Sequence, residues 1–223
     1  MNPIIFIHPF KCAGTAISRL IPSPQHSKNP MYKGWHFSVY HYKRIGIDLK
    51  KYFVFTSTRN PWDRLVSMYT YGRSLVINAS KKKKINSWNF IEADFTFKEW
   101  IHKIGNIQIK KINDGIGLNS IYGSMSLHGE ILVDYIVNIH TIKEDIEVIK
   151  KISPIKFNNV PHVAPSKHDD YRSYYDYKEI EIVSKIYADD INYFGFCFED
   201  KNKCNFSRIV NKSKIDNLFR KLL

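Results

Sequence analysis

The chain has 223 residues, 43 % of them hydrophobic and 25 % charged, which is ordinary for a soluble globular protein able to bury a sizeable core. Its formal net charge of +13 favours a polyanionic partner: a nucleotide, a nucleic acid, an acidic glycan or an anionic lipid. Three cysteines are too few for a disulfide framework, and no apolar run is long enough to span a membrane, so we expect a cytoplasmic protein. The length predicts one domain over residues 1–223.

The first predicted element is a strand at Ile4–Ile7, a short β-branched run of the kind buried on both faces in parallel sheets. A proline- and glycine-containing loop follows, and then a helical pattern around Ile17 and Leu20. A second buried strand is predicted at Tyr52–Thr56. The next helix is predicted to begin at Pro61, because proline fits the first turn of a helix.

The remaining apolar patterns predict five further elements. They are a short helix at His36–Ile45, a helix at Phe95–Ile104, a strand at Tyr135–Val137, and helices at Lys143–Ile152 and Lys178–Ile191. Two stretches are predicted to be irregular: the polar, mobile Arg73–Asn89, whose lysine run Lys81–Lys84 is interpreted as solvated, and the glycine-rich Asp114–Gly129. Strands alternating with helices predict a three-layer α/β fold with a mostly parallel central sheet.

The loop His8–Ala16 is the first candidate binding site. Small residues at positions 13, 14 and 16 let a ligand approach the backbone, and N–H groups at the start of a helix attract an anion. Lys11 adds a positive charge and Thr15 a hydroxyl donor. Because Lys11 precedes Gly14, the loop is not the GxxxxGK[ST] phosphate loop of NTPases. An ordinary strand-to-helix turn would fit its composition equally well.

The second candidate site begins where the second strand ends. Arg59 follows that strand, and ligands of open α/β sheets bind beyond the carboxyl ends of strands. Ser67 lies about two helical turns further on, so we expect it to face the same side. A guanidinium and a hydroxyl can share one phosphate. The two sites together predict a ligand with two phosphate groups.

These two segments resemble the family of sulfotransferases that use 3′-phosphoadenosine 5′-phosphosulfate, in particular the carbohydrate branch that includes heparan sulfate 2-O-sulfotransferase. The run Arg59–Tyr69 matches every fixed position of that branch's R-N-P-x-D-R-L-V-S-x-Y. The branch's first motif, H-x-P-K-T-G-G-T-S, is matched in part: His8, Lys11, Gly14 and Thr15 agree, Pro9 stands one place early, and Cys12, Ala13 and Ala16 replace Thr, Gly and Ser.

A weaker likeness continues through Val133–Val137, Pro161–Ser166 and Tyr187–Phe198. Ala164 takes the place of a usual Asn.

The resemblance implies metal-free transfer of a sulfonate from this donor to a hydroxyl of a carbohydrate or glycolipid acceptor. It implies that Lys11 steadies the leaving phosphate at the bridging oxygen, and that Arg59 and Ser67 hold the 3′-phosphate. His36 matches the family's H-x-S segment, whose histidine is the proposed base, and His41 is the second candidate. The 5′-phosphate would be bound by the loop residues Lys11, Cys12, Ala13, Gly14, Thr15 and Ala16.

Two other classes of protein stay open at this point. An ATP-dependent P-loop enzyme resembling a kinase would also bind a nucleotide, but the chain has no GxxxxGK[ST]. A basic nucleic-acid-binding protein would fit the net charge of +13, but no recognised binding motif accompanies it. We therefore expect a carbohydrate or glycolipid partner and no nucleic acid.

Overall fold

The computed structural model describes residues 4–21, 36–81, 94–106, 118–152 and 168–220. Contacts group these residues into two compact units. The first unit comprises Met1–Arg59, Asn119–Val163 and Phe206–Leu223, and the second comprises Asn60–Leu118 and Ala164–Asn205. Because a compact unit need not fold alone, the single domain expected over residues 1–223 stays a prediction.

All strands of the described residues belong to the first unit. They are β1 (Ile4–Ile7), β2 (Phe53–Thr58), β3 (Ser126–Leu127), β4 (Glu130–Ile131) and β5 (Tyr135–Asn138). Strands β1, β2 and β5 form a parallel sheet in that order, with Phe6 opposite Phe55 and Phe55 opposite Tyr135. Every residue of these three strands is buried, so both faces of the sheet are covered. The predicted α/β fold with a parallel central sheet is confirmed.

Helices occur in both units of the described residues. They are α1 (Gly14–Leu20), α2 (Val39–Arg44), α3 (Pro61–Lys81), α4 (Phe97–Asn106), α5 (Ile121–Met125), α6 (Ile142–Ile152), α7 (Tyr177–Ile186), α8 (Ala188–Phe194) and α9 (Lys212–Arg220). Short 3₁₀ turns lie at Leu49–Lys51, Ile139–Thr141 and Tyr171–Tyr174. Within the described ranges, no helix combines the length and the apolar character needed to cross a bilayer.

One face of the sheet carries a continuous apolar core within the first unit. Alternate strand residues contribute to it, as the two-residue period of a strand requires. Helices α1, α6 and α9 supply the other side. The buried cluster consists of Ile4, Phe6, Ile17, Leu20, Ile21, Phe53, Phe55, Tyr135, Val137, Ile146, Ile149, Ile152, Ile215 and Leu218.

The C-terminal segment covers the free edge of β5. The Ile136 N–H donates to the Arg208 carbonyl at 2.9 Å, and the Val210 N–H donates to the Asp134 carbonyl at 3.0 Å. Lys214 then donates to the buried Asp134 carboxylate at 2.7 Å. Edge hydrogen-bond groups of the sheet are thereby satisfied.

The second unit is helical in its described part. Asn60 starts α3, because its Oδ1 accepts the Trp62 N–H at 3.1 Å and leaves Pro61 at the first helical position. Helices α4 and α7 approach closely, since a Cβ at Gly105 would lie 2.8 Å from the Ile182 side chain. The buried Trp100 belongs to the core of this unit.

Two stretches predicted to be irregular are partly regular. Helix α3 continues to Lys81, so residues 73–81 are helical. Arg73 donates to the Tyr69 hydroxyl at 3.0 Å, one helical turn back, and this contact stabilises the longer helix. Between Asp114 and Gly129, Ser120 caps α5 and β3 pairs with β4. Positive φ angles at His128 and Gly129, 51° and 80°, allow the tight turn between these strands.

The helix predicted at Lys178–Ile191 is two helices. Tyr187 interrupts it with φ −111° and ψ 30°, and its hydroxyl donates to the Leu118 carbonyl at 2.8 Å. Helix α8 then ends at Gly195, whose φ of 66° is the left-handed conformation that glycine adopts readily.

Candidate functional site

The carboxyl ends of β1 and β2 lie at the same edge of the parallel sheet, and the two candidate segments leave from there. The loop from His8 to Ala13 follows β1, and Arg59 follows β2. The Arg59 Nη1 donates to the Lys11 carbonyl at 3.0 Å. The structure therefore brings the two predicted segments together through Arg59 and Lys11.

Side chains hold the carbonyl groups of this loop. The Cys12 thiol donates to the Phe10 carbonyl at 3.4 Å, and the Ser57 hydroxyl donates to the Cys12 carbonyl at 2.7 Å. Because Arg59 also donates to the Lys11 carbonyl, three consecutive carbonyl groups accept hydrogen bonds from side chains. Peptide groups fixed in this way have defined N–H directions, which is the basis of anion binding by loops.

Two residues of the loop adopt left-handed backbone conformations. Lys11 has φ 58° and Ala13 has φ 59°. The first intrahelical bonds of α1 run from the Ala16 and Ile17 N–H groups to the Ala13 carbonyl, at 3.0 and 3.1 Å. The N–H groups of residues 13 to 15 precede those bonds, as at any helix start. Thr15 is exposed beside them.

Gly14 makes room for His8. A Cβ at Gly14 would lie 1.7 Å from the His8 Nε2, so no larger residue fits while that imidazole stays in place. The His8 ring also stacks on Phe6, with centroids 5.5 Å apart. Burial, with a smaller contribution from His36, lowers the pKa of His8 to about 3. His8 is therefore a neutral packing residue of the loop.

Lys11 lies in a partly buried, positively charged environment. Burial first, and the neighbouring Arg59 guanidinium second, lower its pKa to about 8. Both causes disfavour the charged ammonium form of Lys11. A polyanion in contact with Lys11 and Arg59 would relieve this repulsion, so the residues present fit a phosphate-bearing ligand.

His36 contacts the same loop. Its Nδ1 lies 2.9 Å from the His8 carbonyl oxygen. Because a carbonyl oxygen can only accept, Nδ1 carries the hydrogen, and the neutral ring then has its lone pair on Nε2. The ring stacks on Phe10, with centroids 3.4 Å apart and an interplanar angle of 26°. The backbone of His36 is left-handed, at φ 75°.

His41 has a different role in the structure. The Ser38 N–H donates to the His41 Nδ1 at 3.1 Å, and the Ser38 hydroxyl lies 2.8 Å from the same nitrogen. The two residues form a capping box at the start of α2. The Nδ1 of His41 is thus an acceptor within a helix cap.

The segment after Arg59 is buried along its length. Every residue from Pro61 to Tyr69 is buried, Ser67 included. Arg64 lies 3.9 Å from the Asp190 carboxylate, with side chains 2 % and 1 % exposed. Its guanidinium also lies over the Tyr187 ring at 5.6 Å. A buried charge needs such partners, and these residues stabilise the second unit.

The sequence did not indicate some features of the candidate site, and some predicted residues lie outside the part of the chain that the structure describes. Phe10 and the His8–Gly14 packing were missed, because neither a stacked ring nor a steric exclusion leaves a signal in residue spacing. The segment Pro161–Ser166 with Ala164, and most of the lysine run at 82–84, lie outside the described residues.

Comparison with family models gave a match over most of the chain. A family model described as the sulfotransferase family matches residues 3–197, which is most of the chain. A search of curated proteins and a search of solved structures found no match. The matched range includes both predicted motifs and His36.

Proposed function

Because this chain belongs to the sulfotransferase family, we propose that it transfers a sulfonate from 3′-phosphoadenosine 5′-phosphosulfate to a hydroxyl of a carbohydrate or glycolipid. One observation carries this proposal: the carbonyls of His8 and Lys11, in one loop, accept from His36 and Arg59. A candidate base and the cations suited to the donor thus contact the same short segment. Sulfonate transfer requires base and donor to act on adjoining atoms.

We assign Lys11 to the reacting end of the donor. A bound phosphosulfate would supply an activated sulfonate. As the acceptor oxygen bonds to sulfur, the bond from sulfur to the bridging oxygen would break and leave negative charge on that oxygen. An ammonium at that oxygen stabilises this charge. The lowered pKa of Lys11, about 8, supports the assignment, because a bound anion would favour the ammonium form and offset the repulsion from Arg59.

The phosphate groups of the donor are assigned to the loop and to the second motif. The N–H groups at the start of α1 would bind the 5′-phosphate, with Cys12, Ala13, Gly14, Thr15 and Ala16 as the residues of that loop. Arg59 and Ser67 would bind the 3′-phosphate. Contact of Arg59 with the loop supports its part of this assignment, whereas Ser67 is assigned by the resemblance alone.

We assign His36 as the base that accepts the proton of the acceptor hydroxyl. The Nδ1 hydrogen bond to the His8 carbonyl supports this role, since it leaves Nε2 as the proton-accepting atom of the neutral ring. His41 is less suited, because its Nδ1 accepts within the α2 cap and a proton there would disrupt that cap.

The test of the base is a His36→Ala variant. We expect it to bind adenosine 3′,5′-bisphosphate with a Kd within about twofold of the wild type and to lose turnover by about 10²- to 10⁴-fold. Isothermal titration calorimetry and radiolabelled sulfonate transfer measure the two quantities. Unchanged turnover would remove His36 from the mechanism.

The donor itself is tested by thermal stability. A ligand of the native state raises the midpoint of unfolding. We expect adenosine 3′,5′-bisphosphate to stabilise the protein more than ADP with magnesium or single-stranded DNA. Equal stabilisation by ADP would contradict the 3′-phosphate assignment and favour the kinase-like alternative, and a shift with DNA alone would favour a nucleic-acid-binding protein.

The acceptor is proposed from the resemblance to the heparan sulfate 2-O branch and from the net charge of +13. Sulfonate transfer from radiolabelled donor onto a panel of glycans, glycolipids and phenols tests it. We expect a glycan lacking 2-O-sulfate to be labelled. Labelling of phenols alone would exclude a carbohydrate acceptor.

We also propose that residues 1–223 act as one sulfotransferase domain, because the family match at 3–197 runs through both compact units.

The three cysteines are thiols in the structure, which supports a reducing, cytoplasmic location.

A further inference from the structure

Phe10 is the residue of the loop that differs most from the motif it resembles. The motif H-x-P-K places proline directly before the lysine, and here Phe10 occupies that position because Pro9 stands one place early. Its ring is half-buried and stacks on the His36 imidazole, with centroids 3.4 Å apart. A proline could not provide an aromatic face for this contact.

We propose that Phe10 is a positioning residue that holds the imidazole of His36 in the orientation required of a base. The inference rests on the proposed role of His36. The hydrogen bond from Nδ1 to the His8 carbonyl fixes one point of the ring. The stacked Phe10 face restrains rotation of the imidazole plane.

The backbone around Phe10 is itself held in place. The Cys12 thiol donates to the Phe10 carbonyl at 3.4 Å. Two residues earlier, the His8 carbonyl receives the His36 Nδ1 hydrogen at 2.9 Å. The Phe10 ring and the His8 carbonyl, which hold His36, therefore belong to the same restrained loop that carries Lys11. One loop thus positions both the proposed base and the proposed donor-binding lysine.

The groups around His36 are an uncharged ring and two cations. The His8 ring lies 4.4 Å away and is uncharged at ordinary pH, since its pKa is lowered to about 3. The charged groups of the adjoining loop and strand end are the cations Lys11 and Arg59. The His8 carbonyl and the stacked Phe10 ring both orient the imidazole. A displacement of about 1 Å in such a group can cost about 10²-fold in rate.

The test compares two variants of Phe10 with one matched control. Phe10→Leu keeps an apolar side chain and removes the aromatic face, whereas Phe10→Tyr keeps the ring. Phe37→Leu is the control, because Phe37 stacks on His41, with centroids 5.2 Å apart, and that histidine caps a helix. Circular dichroism confirms that each variant is folded.

The first measurement is the tautomer of His36 in ¹⁵N-histidine-labelled protein without substrate. Nitrogen chemical shifts distinguish Nδ1–H from Nε2–H, and a His36→Gln spectrum assigns the signal. We expect a single Nδ1–H tautomer in the wild type, in Phe10→Tyr and in Phe37→Leu. We expect a mixture in Phe10→Leu.

The second measurement separates kcat from binding. With heparan sulfate lacking 2-O-sulfate as the acceptor probe, we expect Phe10→Leu to lower kcat about tenfold to 10²-fold. The Kd for adenosine 3′,5′-bisphosphate should stay within about twofold, and Phe10→Tyr should restore kcat to within about twofold. An unchanged tautomer and kcat in Phe10→Leu, beside an inactive His36→Gln, would overturn the positioning role alone. A fully active His36→Gln would overturn the base assignment and the positioning role together.

Discussion

The loop His8–Ala16 and the helical segment Pro61–Tyr69 each carry a motif, but different physical constraints act on them. In the loop, Lys11 and Ala13 have left-handed backbones and Thr15 is exposed. In the helical segment every residue is buried. The loop matches its motif in part, whereas the helical segment matches at every fixed position.

This difference teaches that a strict motif match need not mean ligand contact. A side chain in a close-packed interior tolerates few replacements, because a change of volume or charge there is costly. A loop that acts through its backbone N–H groups tolerates small replacements, such as Ala13 for glycine. Four predictions test this comparison.

The largest effect is expected in the loop, from Lys11→Ala. Loss of the ammonium at the developing charge should lower kcat by about 10²- to 10³-fold at saturating donor. The exposed Lys43→Ala is the control and should leave kcat unchanged. An effect confined to the KM for the donor would make Lys11 a binding residue only.

The helical segment should respond in stability. Asp190→Asn removes the carboxylate 3.9 Å from the buried Arg64 guanidinium, and should lower the free energy of unfolding by about 3 kcal/mol. The neighbouring exposed Asp189→Asn should change it by less than about 0.5 kcal/mol. Urea unfolding measures both. Equal values for the two variants would show that the pair does not stabilise this segment.

The loop should also show a proton linkage. In the unliganded protein the pKa of Lys11 is lowered to about 8, and a bound polyanion should raise it again. Lys11 should therefore take up about half a proton at pH 8 when adenosine 3′,5′-bisphosphate binds, and almost none at pH 6, where Lys11 is already protonated. Calorimetry in buffers of different ionisation enthalpy measures the uptake.

Lys11→Arg is the control for this linkage, because a guanidinium stays protonated over this range. It should bind the bisphosphate without uptake at pH 8. Persistent uptake in that variant would assign the proton to another group.

The parts of the molecule that follow a short-range pattern could be predicted from sequence. Apolar runs indicated β1, β2 and β5, and Pro61 marked the start of α3. The break at Tyr187 could not be predicted, because it depends on a hydrogen bond to Leu118, far away in the chain.

The same distinction applies to the candidate site. Motif spacing indicated Lys11 and Arg59, and the structure joins them by a hydrogen bond. His8 and Phe10 both contact His36, and His8 lies 28 positions before it in the chain. No local sequence pattern encodes contacts between residues so far apart. Capping by His41 was also missed, because Ser38-x-x-His is not the usual Ser-x-x-Glu pattern.

The smallest effect tests whether the loop's altered motif carries strain. Ala13 has φ 59°, a conformation that costs a residue with a Cβ about 1–2 kcal/mol. Ala13→Gly removes this cost but adds freedom to the unfolded chain, so we expect a net stabilisation of about 0.5–1 kcal/mol. Ala16→Gly, at a buried position inside α1, should instead destabilise by about 1 kcal/mol. Changes of opposite sign in the free energy of unfolding, measured in urea, would locate the strain at position 13. Destabilisation by both variants would mean that the loop accommodates Ala13 without strain.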